Sequence, residues 1–269
     1  MLIEEYRAIK KRLDYLKWYI EKFEIKEKIG PLSYLVYDIQ EEKNLLKKNG
    51  NHSYPIASIT KVMSAVVALE NIDIDQKITL SSEMLLPNSW QRQSPAIYAG
   101  TTLTAGDLMK AGLIQSTNNA VHSLTHFLDE GEFLKKMNET AKTLGMKDTQ
   151  FFDAHGISSL NRSTAPDILK LMTYVFENHP EILEITKEEN FQLPGKCPEH
   201  NWICTFKNLN LFHEVEGFVG GKTGFTNAAG NTFAGVFDFE GRKYSIVLLN
   251  TKSRTSDTQK ISEWLSRKP

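Results

Sequence analysis

Apolar positions at the start of the chain recur at alternating spacings of four and three: Leu2, Tyr6, Ile9, Leu13, Leu16, Ile20 and Phe23. A repeat averaging 3.5 residues keeps one stripe of a helix in register with a partner, so the pattern predicts a heptad seam on one long helix. Gly30-Pro31 ends it, because proline disfavours helical geometry in the residue before it. Residues 1–30 are thus an N-terminal amphipathic heptad helix. The spacing leaves its role open between packing on the chain's own body, self-association, and a linker beside a membrane anchor, since three heptads are marginal for an isolated coil.

From Leu32 the pattern becomes strand-like through Ser33–Ile39, and a polar turn is expected at Lys47–Gly50. Residues 57–70 read as a buried helix with a broad apolar surface from Ile59, Val62, Met63, Val66, Val67 and Leu69. Thr104 with Asp107 three residues later predicts a capped helix start. That helix runs through Leu108, Met109 and Leu113 to a polar knot at Ser116–Asn119, then resumes at Val121, Leu124 and Phe127. Further helices are expected over 133–144, stopped by Gly145, and over 166–176, ended before Pro180.

After residue 190 the period turns to β: 191–193, 202–206, and a hairpin of 231–239 and 243–251 about Glu240-Gly241. A closing helix at 258–265 presents Ile261, Trp264 and Leu265 on one face. The order implies an α/β (α+β) fold whose antiparallel sheet comes from segments 31–56 and 190–269. A mainly helical block, 57–189, is inserted between them, and the two halves meet at a cleft.

Composition narrows the partners. Among 269 residues, 32 Lys+Arg offset 33 Asp+Glu for a net charge of -1, so no whole-molecule field draws nucleic acid or an acidic membrane. The N-terminal 30 residues hold eight Lys+Arg and six Asp+Glu. No apolar run approaches the ~18 residues of a membrane span, and no secretory signal is visible. Cys197 and Cys204 are too few for a disulfide framework or a four-ligand zinc site. Lying in an expected hairpin, they are read either as a short-range bridge or as two thiols.

Ser58-Ile59-Thr60-Lys61 sets a hydroxyl and an amine three positions apart, on one helix face. Serine needs a neighbour to take its proton, and lysine does this near neutrality only if burial or another cation lowers its pKa. Ser58 and Lys61 form the sole Ser-x-x-Lys in the chain, at the start of its most apolar helix; an N-cap is the plainer reading of the serine. Ser116-Thr117-Asn118 is a second candidate, although Ser159-Leu160-Asn161 matches the same pattern. Lys222-Thr223-Gly224, after Gly220-Gly221, is the rarer triplet, with glycines that let a ligand backbone approach.

In this order the three motifs resemble those of penicillin-binding proteins and class A β-lactamases. Pro55–Met63, Gly112–Ala120, Leu144–Thr149 with His155-Gly156, and Gly221–Thr226 extend the likeness to the low-molecular-mass D-alanyl-D-alanine carboxypeptidases, over residues 32–266. The resemblance implies the β-lactamase/DD-peptidase fold and a serine peptidase acting on peptidoglycan stem peptides. Ser58 would be the nucleophile, Lys61 its base, Ser116 a proton relay, and Asn118 a clamp on substrate and Lys61. Lys222 would lower the Lys61 pKa and, with Thr223, Gly224, Phe225 and Thr226, hold the substrate, the N–H groups of Ser58 and Phe225 forming an oxyanion hole.

The same likeness implies no metal or organic cofactor, β-lactams as covalent inhibitors, and an extracytoplasmic location, with a signal or anchor expected ahead of Met1. A class A β-lactamase would need a Glu-x-x-x-Asn loop, whereas Ile157 stands four residues before Asn161. A DD-endopeptidase and a non-catalytic penicillin-binding sensor remain alternatives. Thr117, where glycine is frequent, and residues 88–100 depart from the family pattern and bear on substrate preference.

Overall fold

The computed structural model describes residues 2–87, 97–193 and 203–269. Helix α1 (Leu2–Lys28) leads into strands β1 (Ser33–Asp38) and β2 (Lys43–Lys48) and the short β3 (Tyr54–Pro55). A single 3-10 turn, Ala57–Ile59, opens α2 (Thr60–Asn71), which is followed by the ribbon of β4 (Lys77–Thr79) and β5 (Thr102–Thr104). Next come α3 (Ala105–Ile114), α4 (Asn118–Thr125) and α5 (Glu130–Thr143), then β6 (Arg162–Ser163), α6 (Ala165–Asn178) and α7 (Pro180–Lys187). The C-terminal part holds β7 (Asn190–Gln192), β8 (Thr205–Lys207), β9 (Phe218–Thr226), β10 (Gly230–Phe239), β11 (Arg242–Thr251) and α8 (Arg254–Ser266).

The main sheet runs β2-β1-β11-β10-β9 and every pairing in it is antiparallel. Its first strands come from the start of the chain and the rest from the end, as the periodicity predicted. Alternation of side chains divides the interior in two. Leu35, Ala234, Val236, Val247 and Leu249 point into a core shared with α2, α3, α6 and α7. Tyr34, Val36, Phe233, Phe237, Tyr244, Ile246 and Leu248 point to the other face, where α8 supplies Ile261, Trp264 and Leu265 and α1 supplies Trp18 and Ile25.

Local signals explain most boundaries. Thr104 Oγ1 accepts the Asp107 N–H and the Asp107 carboxylate accepts the Thr104 N–H, both at 3.0 Å, closing the predicted capping box. Glu240 and Gly241 both take positive φ, the geometry a two-residue hairpin demands. No helix among the described residues is long and apolar enough to cross a membrane.

Several expectations are corrected. The polar stretch at Lys47–Lys48 finishes strand β2, with the turn falling at Asn49-Gly50, because Leu45 and Leu46 have apolar surface to bury. Helix α7 was not expected; Pro180 starts it rather than merely ending α6, as proline suits a first helical turn. Strands β7 and β8 pair with each other as a separate ribbon and do not join the main sheet. Cys204 is buried and is not a free thiol, while Cys197 and residues 88–96 lie outside the described residues.

Candidate active site

Ser58 sits in the 3-10 turn that opens α2, and Lys61 lies one turn along, 1% exposed. The Lys61 ammonium Nζ donates to Ser58 Oγ at 3.0 Å, to Asn118 Oδ1 at 2.8 Å and to the carbonyl of His155. Three acceptors match three ammonium protons. When the amine is neutral, two N–H donors still serve Asn118 and His155, and the lone pair is left directed at the Ser58 hydroxyl. Burial makes that neutral form accessible by pushing the Lys61 pKa down to about 7, against the opposing pull of the Asp153 carboxylate.

Burial is the first cause of the Lys61 shift. Lys222 is itself lowered well below its ordinary value by burial first, then by the charges of Lys61 and Arg254, and the repulsion between the two lysines acts on both amines. Lys222 is 1% exposed, and its Nζ donates to the carbonyl of Thr223 at 3.3 Å.

Close backbone contacts fix the nucleophile. Ala57, immediately before Ser58, holds φ +48°, an uncommon conformation for a residue with a side chain. A Cβ on Gly156 would stand 2.1 Å from the Ala57 carbonyl oxygen, and one on Gly224 would stand 2.9 Å from the Ser58 nitrogen. Gly224 thus gives room to the protein's own backbone, where the sequence suggested a ligand. The Asp153 carboxylate accepts N–H bonds from His155 and Ser158 at 3.0 and 2.6 Å and also from Gly156, folding the turn that presents the His155 carbonyl to Lys61.

Opposite Ser58, the chain between α3 and α4 passes through Ser116 in the left-handed region, φ +62°. Ser58, Gln115, Ser116, Asn118, Leu209, Thr223, Gly224, Phe225 and Arg254 line one cleft of about 360 Å³. A larger cavity of about 660 Å³, at the start of β9, contains none of the motif residues.

Seven predicted site residues therefore converge: Ser58, Lys61, Ser116, Asn118, Thr223, Gly224 and Phe225, with Lys222 buried beside them. Thr226 does not line the cleft; its Oγ1 accepts the Ala229 N–H at 3.0 Å. Ser159-Leu160-Asn161 is no second site, because Asn161 is wholly buried and ties Phe152, Asp153 and Thr60 together. Sequence reasoning missed Arg254, whose Nη1 donates to the Gly224 carbonyl at 3.0 Å and to Asn231 Oδ1 at 2.9 Å. It also missed Asp153, for which an aspartate two positions before His155-Gly156 was an available turn signal.

Comparison with known proteins bears on this arrangement. The family model of S11 peptidases, described as D-alanyl-D-alanine carboxypeptidase, matches residues 21–253. The D-alanyl-D-alanine endopeptidase of Escherichia coli K12 is 28% identical over 244 residues, covering 87% of this chain and 76% of that one. A D-alanyl-D-alanine carboxypeptidase of Mycobacterium tuberculosis H37Rv is 28% identical over 225 residues, covering 82% and 75%. Among solved structures, penicillin-binding protein D2 of Listeria monocytogenes in its cefotaxime-bound form matches with a TM-score of 0.76 and 29% identity, over 88% of this chain and 97% of that one. A D-alanyl-D-alanine carboxypeptidase from Mycobacterium tuberculosis H37Rv gives a TM-score of 0.78 at 26% identity, over 87% and 90%. With the family model covering most of the chain and the three motifs gathered about one cleft, the chain belongs to the S11 peptidases, the D-alanyl-D-alanine carboxypeptidase family.

Proposed function

We propose that this S11 peptidase is a penicillin-binding serine D-alanyl-D-alanine carboxypeptidase that trims peptidoglycan stem peptides through an acyl-enzyme on Ser58. The observation that carries the reading is the Lys61 amine, buried and held between Ser58 Oγ, Asn118 Oδ1 and the His155 carbonyl. Two acceptors fix the amine so that its lone pair, when free, has one hydroxyl to face.

In the first half-reaction Ser58 Oγ attacks the carbonyl between the two terminal D-alanines as its proton passes to Lys61. The oxyanion that develops is stabilised by the N–H groups of Ser58 and Phe225, the first of them at the positive end of α2. Ser116 relays the proton from Lys61 to the departing amine, the peptide C–N bond breaks, and D-alanine leaves. Water then attacks the ester while Lys61 takes its proton, and the Ser58 hydroxyl is restored.

Thr223, which lines the cleft, and Arg254 hold the terminal carboxylate, with the Lys222 amine buried behind them. Asn118 supports the peptide backbone together with Lys61. The catalytic unit is taken as residues 31–269, with residues 1–30 an appended helix that packs on it through Trp18 and Ile25. Its substrate places the enzyme on the outer side of the cytoplasmic membrane, and β-lactams acylate Ser58 as substrate analogues.

The experiment is labelling by fluorescent penicillin together with D-alanine release from a D-Ala-D-Ala pentapeptide. Both should occur, and both should be lost in Ser58→Ala. Undiminished labelling of that variant sinks the nucleophile, and labelling without D-alanine release would leave a sensor rather than a peptidase. The similarity to a protein named an endopeptidase supports a second reading, hydrolysis of cross-linked muropeptides, which the same assay resolves when run on that substrate.

A further inference from the structure

The face by which α1 meets its own domain is narrow. The Trp18 indole stacks on Trp264 with centroids 4.7 Å apart and planes 5° from parallel. Each indole N–H donates to the other residue's carbonyl, at 2.9 and 3.1 Å. Ile25 is buried on the same side, and Arg267 pairs with Glu21 at 3.3 Å.

The heptad seam faces elsewhere. At 100° per residue, Tyr6, Ile9, Leu13, Leu16, Ile20 and Phe23 lie roughly 120 to 180° around the helix from Trp18. They are 66%, 58%, 52%, 53%, 60% and 55% exposed, in that order. Trp18, which is outside the seam, therefore does the docking, and the seam itself is an unbroken apolar stripe in solvent. Isolated exposed apolar residues are ordinary, but a stripe with this periodicity is not.

We propose that this stripe is covered by the same stripe of a second copy of the chain, the two α1 helices lying antiparallel. Three observations favour a second copy. The spacing of 3.5 residues is that of helix against helix. In the antiparallel alignment that sets Leu13 against Leu16 of the second copy, Ile9 meets Ile20 and Tyr6 meets Phe23, so these six seam residues all have an apolar opposite, position 2 alone standing against Glu27, and the pairing closes as a two-fold.

Charge is the third observation. Glu5 and Lys26 flank the seam at its two ends, and the same alignment brings each against the other's counterpart, while Arg12 faces the ring of Tyr19. Lys10 meets Lys17 as the one like-charged flank. A parallel pair would set Glu5 against Lys10 but Arg12 against Lys17, and would align the two helix dipoles unfavourably. The flanks carry Lys10, Arg12, Lys17 and Lys26 against Glu5 and Glu24, so charge alone does not set a bilayer aside; the second copy is preferred on the heptad spacing and the matched alignment, with Glu27 on the line of the stripe. The seam side chains of both copies would bury roughly 1,000 Å² in all, at the low end for specific interfaces, which corresponds to a dimer of micromolar rather than nanomolar affinity.

The test is sedimentation equilibrium of the full chain across the micromolar range, on wild type, Leu13→Glu/Leu16→Glu, Glu5→Lys, and Glu5→Lys/Lys26→Glu. Wild type should dimerise, and the seam double variant should be monomeric with unchanged penicillin labelling, since both positions are exposed and remote from Ser58. Glu5→Lys should weaken the dimer on the order of fivefold, and adding Lys26→Glu should restore it. A wild-type monomer at every concentration overturns the proposal, as does a dimer that survives Leu13→Glu/Leu16→Glu. Failure of Lys26→Glu to restore overturns the antiparallel arrangement. Seam-dependent co-sedimentation of a monomeric protein with phosphatidylglycerol vesicles would assign the stripe to lipid and likewise overturn it.

Discussion

Substituting Gly156 by alanine should disarm the nucleophile from outside the cleft. Gly156 holds φ +85°, where a side chain is strained by about 1–2 kcal/mol. Its new Cβ would lie 2.1 Å from the Ala57 carbonyl oxygen, 2.5 Å from the carbonyl carbon and 3.0 Å from the Ser58 nitrogen. Non-bonded atoms rest near ~3.5 Å, so the Ala57 carbonyl must withdraw by about 1 Å. That carbonyl is bonded to Ser58 N, hence the shift reaches both the hydroxyl and an oxyanion-hole donor.

A misplacement of this size is worth on the order of 100-fold in rate. Overpacking adds about 1–3 kcal/mol to the left-handed strain. Gly156→Ala should then lose roughly 100-fold in the second-order rate of fluorescent-penicillin acylation and melt about 5–15 °C lower. Gly145→Ala is the control, because Gly145 also has positive φ, +68°, yet its Cβ would meet nothing within 4 Å. It should share the strain and keep the acylation rate. Wild-type labelling by folded Gly156→Ala, or an equal loss in Gly145→Ala, would refute the reasoning.

Three further outcomes are expected. Acylation needs neutral Lys61, whose pKa burial sets at about 7, so the rate should fall about tenfold per pH unit below neutrality and level off above it; a flat profile from pH 5 to 9 would count against Lys61 as base. Arg254→Gln should raise KM for a D-Ala-D-Ala peptide by about 10- to 100-fold and barely affect the same peptide with its terminal carboxylate amidated, and equal losses on both would remove Arg254 from carboxylate recognition. Lys222→Met should melt above wild type at pH 7. Because the folded pKa of Lys222 is lowered, the wild type gains stability as pH rises from that folded pKa toward the unfolded 10.5, so the gap between the two should narrow in that direction.

What the sequence made legible was chemistry whose partners are close along the chain or repeat along it. Ser58 and Lys61 are three residues apart, so spacing put the hydroxyl and the amine on one face, and the company of the other two motifs turned that spacing into a catalytic pair. Strand β1 and the β10–β11 hairpin followed from their patterning, whereas β2, β4 and β5, short or mostly polar, did not. Arg254 was not legible, because an arginine opening a surface helix differs in no local way from a solvated one; it joins the site only because β11 delivers α8 beside the Gly224 carbonyl. Asp153 was missed for a related reason, its four N–H and amide partners all lying within eight residues in a turn that periodicity does not register.

The glycines show where the two kinds of information meet. The glycines about Lys222-Thr223-Gly224 announced close approach without saying to what, and Gly156 entered only through the family likeness. Gly224 and Gly156 both approach the Ala57–Ser58 backbone, one from β9 and the other from the turn tied by Asp153. The nucleophile is thereby gripped from two directions by segments more than 60 residues apart in the chain. Lys61, which must be desolvated to act as a base, is buried by the same convergence. Precision at Ser58 and basicity at Lys61 are accordingly one structural property, and a substitution that loosens either glycine contact should raise the Lys61 pKa as it lowers the rate. An acid limb that moves upward in pH in Gly156→Ala, rather than only dropping in height, would distinguish this coupling from simple displacement of the hydroxyl.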